Sequence, residues 1–146
     1  MRQCHRFAIA GGMLLVSSIG AYAQSAGRLD VAVSGLRNGN GVVRCALFTS
    51  PTGFREPGRE FRGVVAPIRG GQAVCSFANL PAGQYAAAVF HAERGETRLE
   101  TGMFGKPKQG FGFSRNPSSS FGPPSFADAA FDYRGGNQSM VVALTY

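Results

Sequence analysis

Histidine and cysteine are scarce in this sequence, with two of the first and three of the second among 146 residues. His5 and Cys4 sit in the first few positions, which leaves His91, Cys45 and Cys75 for the rest of the chain. Three such residues are too few for a four-ligand structural zinc site. Long apolar runs are also missing. The most extended, Phe7 to Val16, falls short of the ~20 residues that span a bilayer, and no second one follows. Stable membrane insertion is therefore not expected. No G-x-S-x-G elbow is present to present a nucleophilic serine, and past the first residues no stretch keeps a helical period. Basic residues never form a block: 15 Lys and Arg are scattered against 8 Asp and Glu, a net charge of +7.

What stands at the start of the chain is a processing signal. Arg2, His5 and Arg6 precede the apolar run, and Ala21-Tyr22-Ala23 supplies the small residues of an A-x-A cleavage site. Residues 1–23 are expected to be a signal peptide cleaved after Ala23, and residues 24–146 a single domain that is periplasmic or secreted. Cys4 precedes the apolar run, so it is not placed as a lipidated cysteine would be. Loss of Arg2 and Arg6 lowers the net charge to +5. A scattered positive surface keeps a protein soluble and permits weak attraction to anionic envelope polymers or lipid headgroups. A domain of this size can bury a conventional core without a metal.

Export also governs the two remaining cysteines, because disulfides persist in oxidising compartments. Val43, Cys45 and Leu47 share one face of an alternating segment, and Ala73, Cys75 and Phe77 share one face of another. Both thiols are thus expected on the apolar side of a strand, where a Cys45–Cys75 disulfide can form. Two separate buried thiols acting as small hydrophobes are the alternative.

The fold class read from the pattern is all-β, a single small β-sandwich. Short alternating runs recur, separated by turn residues. They are Leu29 to Val33, Gly41 to Thr49, Phe61 to Ile68, Ala73 to Phe77, Gln84 to Ala92 and Gln138 to Tyr146. Asn38-Gly39-Asn40-Gly41 reads as a hairpin turn. Between Glu93 and Gly136 the alternation stops, and a connection of that length is expected to be packed or functional. This long aromatic and glycine-rich loop holds Phe104, Phe111, Phe113, Phe121, Phe126 and Phe131. It is expected to fold over one end of the sandwich as a small second core, with a ligand groove as the alternative. Ser125-Phe126-Ala127-Asp128 resembles a capping box that opens a short helical turn.

Two segments carry a family resemblance. Gly105-Lys106-Pro107-Lys108-Gln109-Gly110-Phe111-Gly112-Phe113-Ser114-Arg115-Asn116 with Phe121-Gly122-Pro123-Pro124-Ser125-Phe126-Ala127-Asp128-Ala129 is one, and Leu80-Pro81-Ala82-Gly83-Gln84-Tyr85 running to Phe90-His91 is the other. Both resemble the bacterial domain-of-unknown-function 2141 family. The resemblance implies an exported sandwich, transthyretin-like or immunoglobulin-like, and assigns no activity. In that family the histidine usually precedes an Asp/Asn-rich stretch that looks like a calcium loop. Here Ala92 stands where the first Asp is expected, Arg94 where an Asn is expected, and Gln109 where a Glu is usual. Calcium wants six to eight oxygens, and Arg94 and Arg98 oppose that. No metal and no cofactor is expected.

His91 is in phase with Tyr85, Ala87 and Val89, so it ends a core-facing row, where a histidine bonded to backbone is the ordinary outcome. Glu93, Glu96 and Glu100 interleave with Arg94 and Arg98 as in a solvated, salt-bridged hairpin. Lys108-Gln109-Gly110-Phe111-Gly112-Phe113 imitates part of an RNA-recognition signature, but Ser114 and Asn116 break its continuation and nucleic acid is not an expected partner. The leading expectation is a non-enzymatic module that binds an envelope component or a protein partner. Its contact candidates are His91, Glu93, Lys106, Lys108, Phe111, Phe113, Arg115 and Asn116. A small hydrolase or metal-dependent activity centred on His91 and the nearby glutamates, or a purely structural envelope module, are the rival readings.

Overall fold

The computed structural model describes residues 27–118 and 120–146. The expected signal peptide and its cleavage site lie outside the described residues. Among these residues eight strands form: β1 (Arg28–Ser34), β2 (Val42–Phe48), β3 (Arg62–Pro67), β4 (Ala73–Ala78), β5 (Gly83–Ala92), β6 (Phe111–Phe113), β7 (Ala130–Tyr133) and β8 (Gln138–Ala143). One short helix, α1 (Phe126–Ala129), precedes β7. They build a small β-sandwich. One sheet has the order β4-β1-β8, and the other β3-β2-β5-β6 with β7 also on β5. All pairings are antiparallel except β1 with β8, which run parallel.

Alternation dictates which side chains meet between the sheets. Leu29, Val31 and Val33 of β1, Val43, Cys45 and Leu47 of β2, Ala73, Cys75 and Phe77 of β4, and Tyr85, Ala87 and Val89 of β5 are all buried in one core. Cys45 and Cys75 point into it from opposite sheets and form the expected disulfide, with Cα atoms 6.3 Å apart. The bond therefore ties sheet to sheet at the centre of the core.

Two expectations need correction. Asn38 to Gly41 does not close a hairpin, because β1 and β2 lie in different sheets. The turn crosses from one sheet to the other instead, and Gly41, at φ +68°, lies so close to the Ala92 carbonyl that a Cβ would clash with it. The long loop, moreover, is neither strandless nor folded over one end of the sandwich. β6 and β7 lie end to end along the same edge of β5, facing Ala88 to Phe90 and Gly83 to Ala86 respectively. Phe113 and Phe126 then pack with Phe54 on the outer face of the larger sheet, over Ala46, Ala86 and Ala88. Alanines at these outward positions leave room for rings to lie against the sheet. The capping box is present as expected: Asp128 N donates to the Ser125 hydroxyl, and Ser125 N to the Asp128 carboxylate.

The sides of the sandwich are laced. Phe111 and Thr145 exchange backbone hydrogen bonds, each 2.9 Å, and so join β6 to the segment after β8. Asn116 adds a side-chain clasp, accepting from Ala143 N at 2.8 Å and donating to Val141 O at 3.2 Å. Both edge strands on that side are thereby kept from pairing elsewhere.

Candidate functional site

The residues with chemistry collect at the end of the sandwich where β5 finishes. His91 is the last inward-facing residue of that strand, opposite Val43 of β2, and is 0% exposed. Its Nε2 lies 2.7 Å from the Asn40 carbonyl oxygen, and its Nδ1 lies 2.7 Å from the Tyr146 hydroxyl. A carbonyl oxygen can only accept, so Nε2 carries the proton of the neutral ring and Nδ1 accepts from Tyr146. Both nitrogens are engaged, as befits a buried polar group.

Around this histidine the network runs outward to solvent. Arg37 N donates to the Tyr146 hydroxyl at 3.2 Å, and the Arg37 guanidinium lies 4.6 Å from the centre of the Tyr146 ring. Arg37 Nε also donates to Glu93 at 2.6 Å, and Asn38 donates to the other carboxylate oxygen at 3.3 Å. The Arg37 hydrogen bond is the main reason that the Glu93 carboxyl is held below its ordinary range. Glu93 also lies 3.8 Å from His91 Nδ1, too far for a hydrogen bond. Gly110 allows Tyr146 its place, since a Cβ there would strike the tyrosine ring. The glutamates past Glu93 follow the salt-bridged reading in part: Arg94 pairs with Glu96 at 3.1 Å.

Beyond Glu93 the chain rises into a projecting hairpin. Lys108 N donates to Glu100 O at 2.9 Å and Gly102 N to Lys106 O at 2.7 Å, with a bridge between Thr101 and Pro107. Gln109 closes its base, its buried amide oxygen accepting from Glu100 N at 2.9 Å. At the tip, Met103 is 82% exposed and Phe104 is 93% exposed. Phe104 is also held at φ +62°, in the left-handed region that a bulky residue rarely adopts. Lys106 is exposed just beside it. The Lys108 stem runs along the hairpin, its Cγ and Cε 3.8 Å from the position of a Cβ on Gly102.

The eight contact candidates thus fall into separate places. His91 and Glu93 join in the enclosed network; Lys106 and Lys108 stand on the hairpin. Phe113 is buried on the outer face of the larger sheet and Phe111 half-buried beside it. Arg115 and Asn116 turn the chain after β6, both at positive φ. A small open pocket of about 110 Å³ is lined by Phe111, Phe113 and Asn116 together with Ala143 and Thr145. Among the described residues, no group of three or more His, Cys, Asp or Glu gathers as metal ligands would. Nor is any helix among them long and apolar enough to cross a membrane.

Sequence reasoning missed Arg37, Tyr146 and Ser114. Ser114 fills the junction between β6 and β7: its hydroxyl accepts from Ala87 N and donates to Ala129 O. An isolated serine in a glycine-rich run gives no such signal. Tyr146 could have been placed by its phase with Met140, Val142 and Leu144 on the last strand.

A family model described as "Uncharacterized protein conserved in bacteria (DUF2141)" matches residues 31–141, from within β1 to within β8. No curated protein and no solved structure gives a match.

Proposed function

Since the chain belongs to the bacterial DUF2141 family, we propose that it is an exported, non-enzymatic binding module that contacts a component of the cell envelope. The surface it uses is the end of the sandwich carrying the 100–108 hairpin. One observation carries this reading: Met103 and Phe104 stand in solvent at the tip of that hairpin, with lysines alongside. Large apolar groups held out on a hydrogen-bonded support are what a contact site needs and what a purely structural module does not.

The hydrolase reading has less support. A general base must reach a substrate proton, whereas His91 is enclosed and has both ring nitrogens occupied. Glu93 is engaged by Arg37 and Asn38. Using either group would first require breaking the network that joins β5, the β1–β2 connection and Tyr146.

The test is co-sedimentation of the exported protein with isolated envelopes. Wild type should pellet, and a Met103→Ser/Phe104→Ser double variant should stay in the supernatant. Equal pelleting of the two would reject the hairpin as the contact surface.

A further inference from the structure

We propose that the hairpin tip docks on an anionic lipid bilayer, with Met103 and Phe104 entering the interface and Lys106 and Lys108 meeting the headgroups. The inference rests on the binding-module reading above and names the partner class of that same surface.

The tip offers two adjacent apolar side chains and nothing that would shape a protein pocket around them. Both are almost fully exposed, and Phe104 is kept outward by a backbone conformation it would otherwise avoid. An anionic polysaccharide or peptidoglycan strand would satisfy lysines but has no apolar phase to receive a phenylalanine. A headgroup region over hydrocarbon takes both, which is why aromatic rings and lysines recur together at membrane surfaces. Charge placement agrees. Lys106 and Lys108 both follow the tip on the returning arm, and the Lys108 stem lies along the hairpin beside Gly102. That is the arrangement in which a lysine keeps its ammonium at headgroup level while its methylenes cover apolar surface. Of the acids near the hairpin, Glu93 and Glu96 are held by Arg37 and Arg94, and Glu100 stands exposed at the hairpin base, across from Lys108 and away from the tip. The exported chain is basic as well, with a net charge of +5 once Arg2 and Arg6 are removed. Two side chains make a shallow, reversible anchor rather than a span, so contact is peripheral.

The sequence contains no tryptophan, so Phe104→Trp places a sole indole at the tip. The exported protein carrying this change is titrated with phosphatidylglycerol/phosphatidylethanolamine vesicles and, separately, with phosphatidylcholine vesicles. Indole emission should shift to the blue with the anionic vesicles and be quenched by lipid-borne quenchers. Each lysine that meets an anionic bilayer surface strengthens binding roughly fivefold. Lys106→Glu/Lys108→Glu should therefore weaken vesicle affinity by at least tenfold, and added salt should do the same. Phe121→Ala, an exposed aromatic outside the hairpin, is the control and should bind as wild type does. Unshifted emission with anionic vesicles overturns the bilayer proposal. If tip-dependent pelleting with envelopes persists in that case, the binding-module reading survives with a protein or glycan partner. If the tip variants pellet as wild type does, that reading fails as well.

Discussion

Replacing Phe113 by alanine asks whether the aromatic loop is part of the core. The ring is 9% exposed on the outer face of the larger sheet, 6.1 Å centre to centre from Phe54 and 6.0 Å from Phe111. A phenylalanine buries roughly 150–250 Å², and at ~25 cal/mol per Å² its loss amounts to about 4–6 kcal/mol as an upper limit. The cluster is a single layer laid on the sheet, so Phe54 and Phe126 can partly close over the gap. The expected loss is therefore about 3–4 kcal/mol, the lower part of the range for buried phenylalanine. Phe111 is half-buried, and its alanine variant should lose about 1–2 kcal/mol by the same area scaling. Phe104→Ala should stay within about 0.5 kcal/mol of wild type, as exposed positions do. Urea melts with the slope held in common give all three values. A Phe113→Ala variant within about 1 kcal/mol of wild type would refute the idea that β6 and its rings are a second core.

Four further outcomes are expected. The Cys45–Cys75 bond closes a loop with a sequence separation of 30 residues, so the double alanine variant should be less stable by about 3–4 kcal/mol; complete alkylation of denatured, unreduced protein would instead show free thiols. Glu93 is held below its ordinary 4.5 chiefly by its hydrogen bond from Arg37, so its contribution is present above the unfolded value and lost as pH falls through the folded one. Glu93→Gln should accordingly lose less stability than wild type between pH 5 and pH 3 (about two units around the carboxylate range), and identical acid melts would contradict this. Millimolar calcium should leave the melting temperature unchanged, whereas a rise reversed by EDTA would reveal a site through mass action. Intact mass of periplasmic material should correspond to a chain beginning at Gln24, and one beginning at Met1 would end the export reading.

Much of this architecture could be read from alternation. The inward rows of β1, β2, β4 and β5, the inward direction of Cys45 and Cys75 and the core-facing His91 follow from period two, whereas the pairing of the two cysteines was argued from an oxidising compartment. The capping box at Ser125 and Asp128 was legible because its chemistry is local. β6 was not, since Phe111-Gly112-Phe113 is three residues long and is held as a strand by Ala88 to Phe90 and by Thr145. Gly112 is there because a Cβ would meet Ala143 O and Val142, a contact between residues thirty positions apart. The outer cluster did leave a trace that went unread. Tyr85-Ala86-Ala87-Ala88-Val89 is apolar at every position, the mark of a strand covered on both faces. The His91 network was half legible: its inward direction follows from phase, but Arg37 and Tyr146 reach it only through the crossing turn and the last strand.

The parallel pairing of β1 with β8 sets the order in which the domain can become whole. Leu29 lies opposite Gln138, so one edge of the first strand waits for a partner synthesised more than a hundred residues later. Contacts of such long separation make folding slow. Until the last strand arrives, β1 offers an open row of backbone donors and acceptors that a neighbouring chain can take. A nascent chain of this kind cannot complete its smaller sheet until nearly all of it has been made. Crowded expression should consequently fail by aggregation of unfinished chains long before the finished domain reaches its own limit of stability.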